Sequence, residues 1–192
     1  MKLLLTSGGV SNPSIHSALV QLLGKPIAEC HALCVPTAQW GHPMCGPASV
    51  RGFIAGEPVW QRLSGLGWAS VGVLGLTALP TIGAERWVPW VREADLLLVD
   101  GGDATYLCHW MRESGLADLL PSLPDKVWVG VSAGSMVMAP RIRTYFVEWP
   151  SPKPRPRPCP GEPAPGPGDA TRPRRRRTWS HPVEPLRVWW RL

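Results

Sequence analysis

Ser132 stands in the stretch Val127 to Met138, VWVGVSAGSMVM, between two apolar runs, with Gly130 and Gly134 two positions to either side. A G-x-S-x-G element at a strand-to-helix turn is one way to present a serine as a nucleophile. Small neighbours let the backbone turn tightly, the N–H of the following residue points at a developing oxyanion, and the helix N-terminus adds partial positive charge. The same residues also suit a Gly/Ser turn that serves packing alone. Two further small-residue elements follow apolar runs: Thr6-Ser7-Gly8-Gly9 after KLLL, and Asp100-Gly101-Gly102-Asp103 after LLLV.

Five short apolar segments read as strands: KLLLTSGG, ECHALCVPTA, WASVGVLGLTAL, ADLLLVDGGD and KVWVGVS. Between them lie helical patterns. In SNPSIHSALVQLLGK, Asn12 is an N-cap, Pro13 takes the first helical position, Ile15, Leu19, Leu22 and Leu23 form one apolar face, and Gly24 closes the helix. GAERWVPWVREA reads as a helix that Pro89 limits or kinks. ATYLCHWMRESGLADLL reads as a helix interrupted by Gly115, and AGSMVMA starts another. Residues 38–67, rich in Gly, Pro and Trp, show no clear period.

Alternation of strands and helices predicts an α/β fold, a parallel sheet with helices on both faces. Continuous apolar strands suit a sheet covered on both sides. Right-handed crossovers then bring every strand's C-terminal end to one edge, where functional groups collect in open α/β sheets. TSGG, DGGD and GVSAGS all fall at such ends.

At 192 residues and 44% hydrophobic content, one domain is expected. The composition breaks near Phe146. Residues 1–146 carry 10 Lys/Arg and 10 Asp/Glu, whereas residues 147–192 carry 10 Lys/Arg and 4 Asp/Glu and so hold the whole net charge of +6. Of 23 prolines, 12 fall in residues 150–192. The expected division is an incomplete α/β domain over 1–146 and a Pro/Arg-rich, disordered tail over 147–192 that proteolysis removes. Arg174–Arg177 raises binding of nucleic acid through the tail, but no aromatic-interleaved RNA module or helix-turn-helix accompanies it. Five cysteines show no zinc-like spacing, so no metal or cofactor is expected. MKLLLTSGG is too short in its apolar run for a signal peptide, and no run reaches the length of a membrane span. The expectation is a cytoplasmic protein; nothing speaks to its oligomeric state.

MKLLLTSGG, LLLVDGGDATYLCHW and VWVGVSAGSMVMAPRIR, in this order and spacing, resemble the peptidase E family of aspartyl dipeptidases and its actinobacterial-type relatives. The resemblance covers about residues 1–146. It implies a flavodoxin-like or class I glutamine-amidotransferase-like fold, with the C-terminal part here missing or replaced. It implies a serine-type peptidase acting on small peptides. Carried over by position, Ser132 matches the nucleophile, and Gly101 and Ala133 supply the two oxyanion N–H groups. Gly102 and Asp103 complete a G-G-G-[ND] loop on the substrate side. Asp100 stands in place of that loop's first glycine, a departure of little consequence if its side chain points outward.

The family also has an acid and a histidine downstream of the serine. Here the downstream acids are Glu148, Glu162, Asp169 and Glu184 and the downstream histidine is His181, none in matching context. Upstream, His16, His31, His42 and His109 match no family base. The alternatives are therefore an inactive remnant of the fold or, at greater distance, a nucleic-acid-binding protein.

Overall fold

The computed structural model describes residues 1–139. The chain divides into a unit Met1–Ser151 and a unit Pro152–Leu192, and every structural statement below concerns the first. The Pro/Arg-rich tail and His181 lie outside the described residues.

Five strands form one sheet: β1 (Lys2–Thr6), β2 (His31–Val35), β3 (Ser70–Val73), β4 (Leu96–Val99) and β5 (Val127–Val131). Their order is β1-β5-β4-β2-β3, and every pairing is parallel. Parallel neighbours need long crossovers, and helices supply them. These are α1 (Pro13–Leu23), α2 (Thr37–Gly41), α3 (Pro47–Ala55), α4 (Ala84–Glu93), α5 (Ala104–Glu113), α6 (Leu116–Leu119) and α7 (Ala133–Met136).

Successive strand residues point to opposite faces, so the sheet has two cores. On one face Val35, Leu97, Val99 and Trp128 pack with Trp87 and Val91 of α4, Leu107 and Met111 of α5, and Leu116 of α6. On the other, Cys34, Leu96, Leu98, Val127 and Val129 pack with Leu19 of α1 and Phe53 of α3. All four residues of β4 are buried. The outer strands are only half covered: Leu3 and Leu5 of β1 and Val71 and Val73 of β3 stay exposed.

Local signals set the helix ends. Asn12 accepts from the Ile15 N–H at 2.9 Å, and Gly24 closes α1 in the left-handed region at φ 73°. Asp103 caps α5 through Thr105 N and Tyr106 N, and Gly115 at φ 77° separates α5 from α6. Pro89 does not break α4. It lies on the exposed side, while Trp87 and Val91 face the core. Residues 38–67, which carry no period, nevertheless hold α2, α3 and a 3-10 turn at Pro58–Trp60. Tertiary burial orders them: Phe53 and Leu63 are almost wholly buried, and Trp68 donates its indole N–H to Leu63 O at 3.0 Å. The third strand is shorter than its apolar run. Leu74 still donates its N–H to Cys34 O of β2 at 2.8 Å, and Leu76 and Leu79 are buried further along, outside the strand.

Candidate active site

Parallel register brings the three small-residue elements together. Thr6 of β1 is opposite Val131, and Val99 of β4 is opposite Gly130. Two residues past Val99 and Gly130, Gly101 and Ser132 leave neighbouring strands side by side. A Cβ on Gly101 would lie 3.3 Å from Ser132 Cβ and 3.7 Å from its Oγ. Adding the N–Cβ span, the Gly101 N–H is within roughly 6 Å of the hydroxyl, close enough for one atom between them to meet both.

Ser132 itself has φ 48° and ψ −110°, and it is the one non-glycine with positive φ among the described residues. That conformation costs an L-residue on the order of 1–3 kcal/mol, so its surroundings must impose it. Backbone bonds do so. Ser132 N donates to Thr6 O at 3.1 Å, and Ser132 O accepts from Ser135 N at 2.9 Å and Met136 N at 2.8 Å. The side chain is exposed, and no described residue hydrogen-bonds its hydroxyl.

The two flanking glycines have a separate cause, which is close approach. A Cβ on Gly134 would collide with Val99 O, and one on Gly130 would collide with Gly134 O. Helix α7 therefore sits directly on the ends of β4 and β5. Trp128, fully buried, reaches over and donates its indole N–H to Gly134 O at 2.8 Å. Ala133, also fully buried, starts the helix with its N–H among the unpaired first-turn donors.

The profile of peptidase family S51 matches residues 3–154. The chain belongs to peptidase family S51. The resemblance to peptidase E read from the motifs is thus borne out, and by family this S51 chain is a peptidase and a hydrolase. Two solved structures are similar to it. One is a candidate peptidase E protein from Listeria monocytogenes EGD-e, with TM-score 0.55 and 19% identity over 77% of this chain and 67% of that one. The other is a peptidase from an acI-B1 Actinobacterium, with TM-score 0.53 and 20% identity over 73% of this chain and 57% of that one. At these identities the likeness is one of fold, and the S51 chain spans little more than half of the second structure. No curated protein sequence matches it.

The S51 site departs from the sequence expectation at Asp100. Its side chain does not point outward. It is 6% exposed, and Oδ2 accepts from Trp60 Nε1 at 2.9 Å and from Gln39 Nε2. The physical reason is position. The residue after buried β4 lies under α2 and the turn carrying Trp60, and both offer donors. Burial pushes the Asp100 carboxyl above the usual carboxylate range, while hydrogen bonds from the Gly101 N–H, Trp60 and Gln39 act against the rise. Cys34 beneath it is pushed up to about 12, chiefly by burial and secondarily by the Asp100 charge. This thiol is a core group and not a nucleophile.

Gly102 and Asp103 have packing roles of their own. Gly102 has φ 133°, and a Cβ there would strike the Ala38 carbonyl. Asp103 Oδ1 accepts from Thr105 N at 2.8 Å and Tyr106 N at 2.9 Å. Of the four described histidines, His31 binds Ser70 Oγ at 2.8 Å, His109 meets Trp110 edge-on, His16 is exposed on α1, and His42 lies 3.7 Å from Cys45 Sγ.

Sequence reasoning missed Thr6 and Ser135 as parts of the site. Ser135 Oγ donates to Thr6 O at 2.7 Å and accepts from Thr6 N at 2.9 Å, which ties β1 to α7 beneath Ser132. Thr6 Oγ1 in turn donates to Gly130 O and accepts from Gly9 N. The signal was present as a second serine in GVSAGS. Ser135→Ala leaves the partly buried Thr6 N–H without this acceptor, while Thr6 O keeps the Ser132 N–H, and should cost about 1–3 kcal/mol. Urea unfolding measures it, and an unchanged midpoint would show the tie to be incidental.

Proposed function

We propose that the chain is a serine-type peptidase with Ser132 as nucleophile. The observation that carries this reading is the strained backbone of Ser132 at the end of β5, with Gly101 facing its side chain. A strained residue at a strand-to-helix turn is the geometry that holds a serine hydroxyl clear of its own backbone. In this reading Ser132 Oγ attacks a peptide carbonyl carbon. The Oγ–C bond forms, the carbonyl oxygen takes the electron pair, and the N–H groups of Gly101 and Ala133 hold the resulting oxyanion. Collapse then expels the amine, which takes up the proton the serine gave to a base, and water releases the acyl group. Gly102 and Asp103 continue the same loop and form the wall beside the substrate. Small peptides are the substrates, and the cytoplasm is the location. The described residues hold no helix long and apolar enough to cross a membrane.

A fluorophosphonate probe tests the reading. The expected result is one phosphonylated peptide carrying Ser132, and loss of that label by at least about a hundredfold in Ser132→Ala, since triad and oxyanion elements act through this one oxygen. Equal labelling of both proteins would overturn it. Labelling of Ser132 without hydrolysis of any Asp-X dipeptide would instead favour a remnant that keeps the nucleophile and lacks its base. The observation behind that second reading is that none of the four described histidines bonds Ser132.

A further inference from the structure

The peptidase reading leaves the buried carboxyl of Asp100 without a task. Three observations meet on it. The first is its confinement: 6% exposed, between Gln39 and Trp60. The second is a mismatch in its partner. Gln39 is itself 2% exposed and gives Nε2 to Asp100 Oδ2, while its Oε1 has no hydrogen-bond partner. A buried carbonyl oxygen without a donor is rare and costly, and a carboxylate offers only acceptors. A proton on Asp100 Oδ1 would give the carboxyl a donor to offer Gln39 Oε1, while Gln39 Nε2 still donates to Oδ2. The third is place. The next residue is Gly101, whose Cβ position faces Ser132.

We infer that Asp100 is a positioning residue for the oxyanion loop, held as a neutral acid by Gln39, and that its ionisation weakens attack by Ser132. The catalytic half of this rests on the serine-peptidase reading; the acid–amide pair does not. Two effects follow from ionisation. A carboxylate would set a negative charge near the oxyanion in a poorly solvated place. It would also tighten its existing bond to the Gly101 N–H and so compete with the substrate oxygen for that donor. A unit charge several ångströms away in an effective dielectric near 20 changes such a rate on the order of tenfold.

The surroundings permit the neutral form. The carboxyl faces Gln39 from α2, Trp60 from the 3-10 turn, Cys34 from β2, Cys45 from the segment ahead of α3, and the Gly101 N–H of its own loop. Burial pushes both thiols upward. The ion pairs Lys25–Asp95 and Arg51–Glu57 do not include Asp100. The rise in its pKa from burial agrees with the geometry.

Carboxyl-13C NMR of aspartate in the full-length protein reads the proton directly. The expected result is one aspartate titrating well above the others and missing from Asp100→Asn, with the Trp60 indole N–H moving at the same midpoint. Through-backbone assignment in the unsubstituted protein identifies the resonance even if the variant folds poorly. Fluorophosphonate labelling of Ser132 should fall behind that of Asp100→Asn by about tenfold as pH rises through this midpoint. An Asp100 carboxyl that titrates with the exposed aspartates overturns the proposal. Identical pH profiles for labelling in the two proteins overturn its catalytic half. If Ser132 takes no probe in either protein, the peptidase reading fails, while the carboxyl titration still decides the Asp100–Gln39 pair.

Discussion

Gly134→Ala is expected to lose about 3 kcal/mol of stability and most of the reactivity of Ser132. The added methyl would strike the carbonyl oxygen of Val99 at the end of β4. That neighbour is backbone in a fully buried strand, so it cannot rotate away as a side chain would. Overpacking of this kind costs typically 1–3 kcal/mol, and a backbone obstacle puts it at the upper end. Relief must come from α7 lifting off the sheet. That movement carries Ala133 and Ser132 with it, and misplacement by about 1 Å can cost on the order of a hundredfold in rate. Gly75→Ala is the control, because a Cβ there meets nothing within 4 Å. Urea midpoints and probe labelling of the two variants check this. A Gly134→Ala protein as stable and reactive as Gly75→Ala would show that α7 has room to spare.

Trp128→Ala should be the more damaging change to stability. Trp128 is fully buried near the start of β5, and its indole N–H holds Gly134 O. Truncating a buried tryptophan costs about 3–5 kcal/mol through lost transfer energy and the cavity left behind. The Gly134 carbonyl loses its donor in addition, although the two costs do not simply add. Against a typical total of about 5–15 kcal/mol, such a loss can leave the protein largely unfolded. Trp128→Phe separates the contributions. It keeps most of the ring in place and removes the hydrogen bond, for about 1–2 kcal/mol. The measurement is the urea midpoint at constant slope. If Phe costs as much as Ala, the hydrogen bond dominates and packing is secondary.

The sequence by itself determined the strand order along the chain, the capped ends of α1, the break at Gly115, and the location of Ser132, Gly101 and Thr6 at strand ends. Those features depend on local patterns: a buried apolar run, a cap three residues ahead of the N–H that donates to it, a glycine where the backbone must turn. A parallel sheet then sends all strand ends to one edge, and the resemblance to peptidase E is what paired Ser132 with Gly101 there. It could not reveal α2 and α3 within residues 38–67, because there the order comes from burial against the sheet and not from periodicity. Nor could it orient Asp100. The carboxyl turns inward because Gln39, 61 residues away in the chain, and Trp60, 40 residues away, bring their N–H groups over the end of β4. Likewise Thr6 and Ser135 are separated by 129 residues, and only the pairing of β1 with β5 makes their exchange of hydrogen bonds possible. Side-chain direction just past a strand is set by which distant donors fill the space, and nothing in the neighbouring residues encodes that.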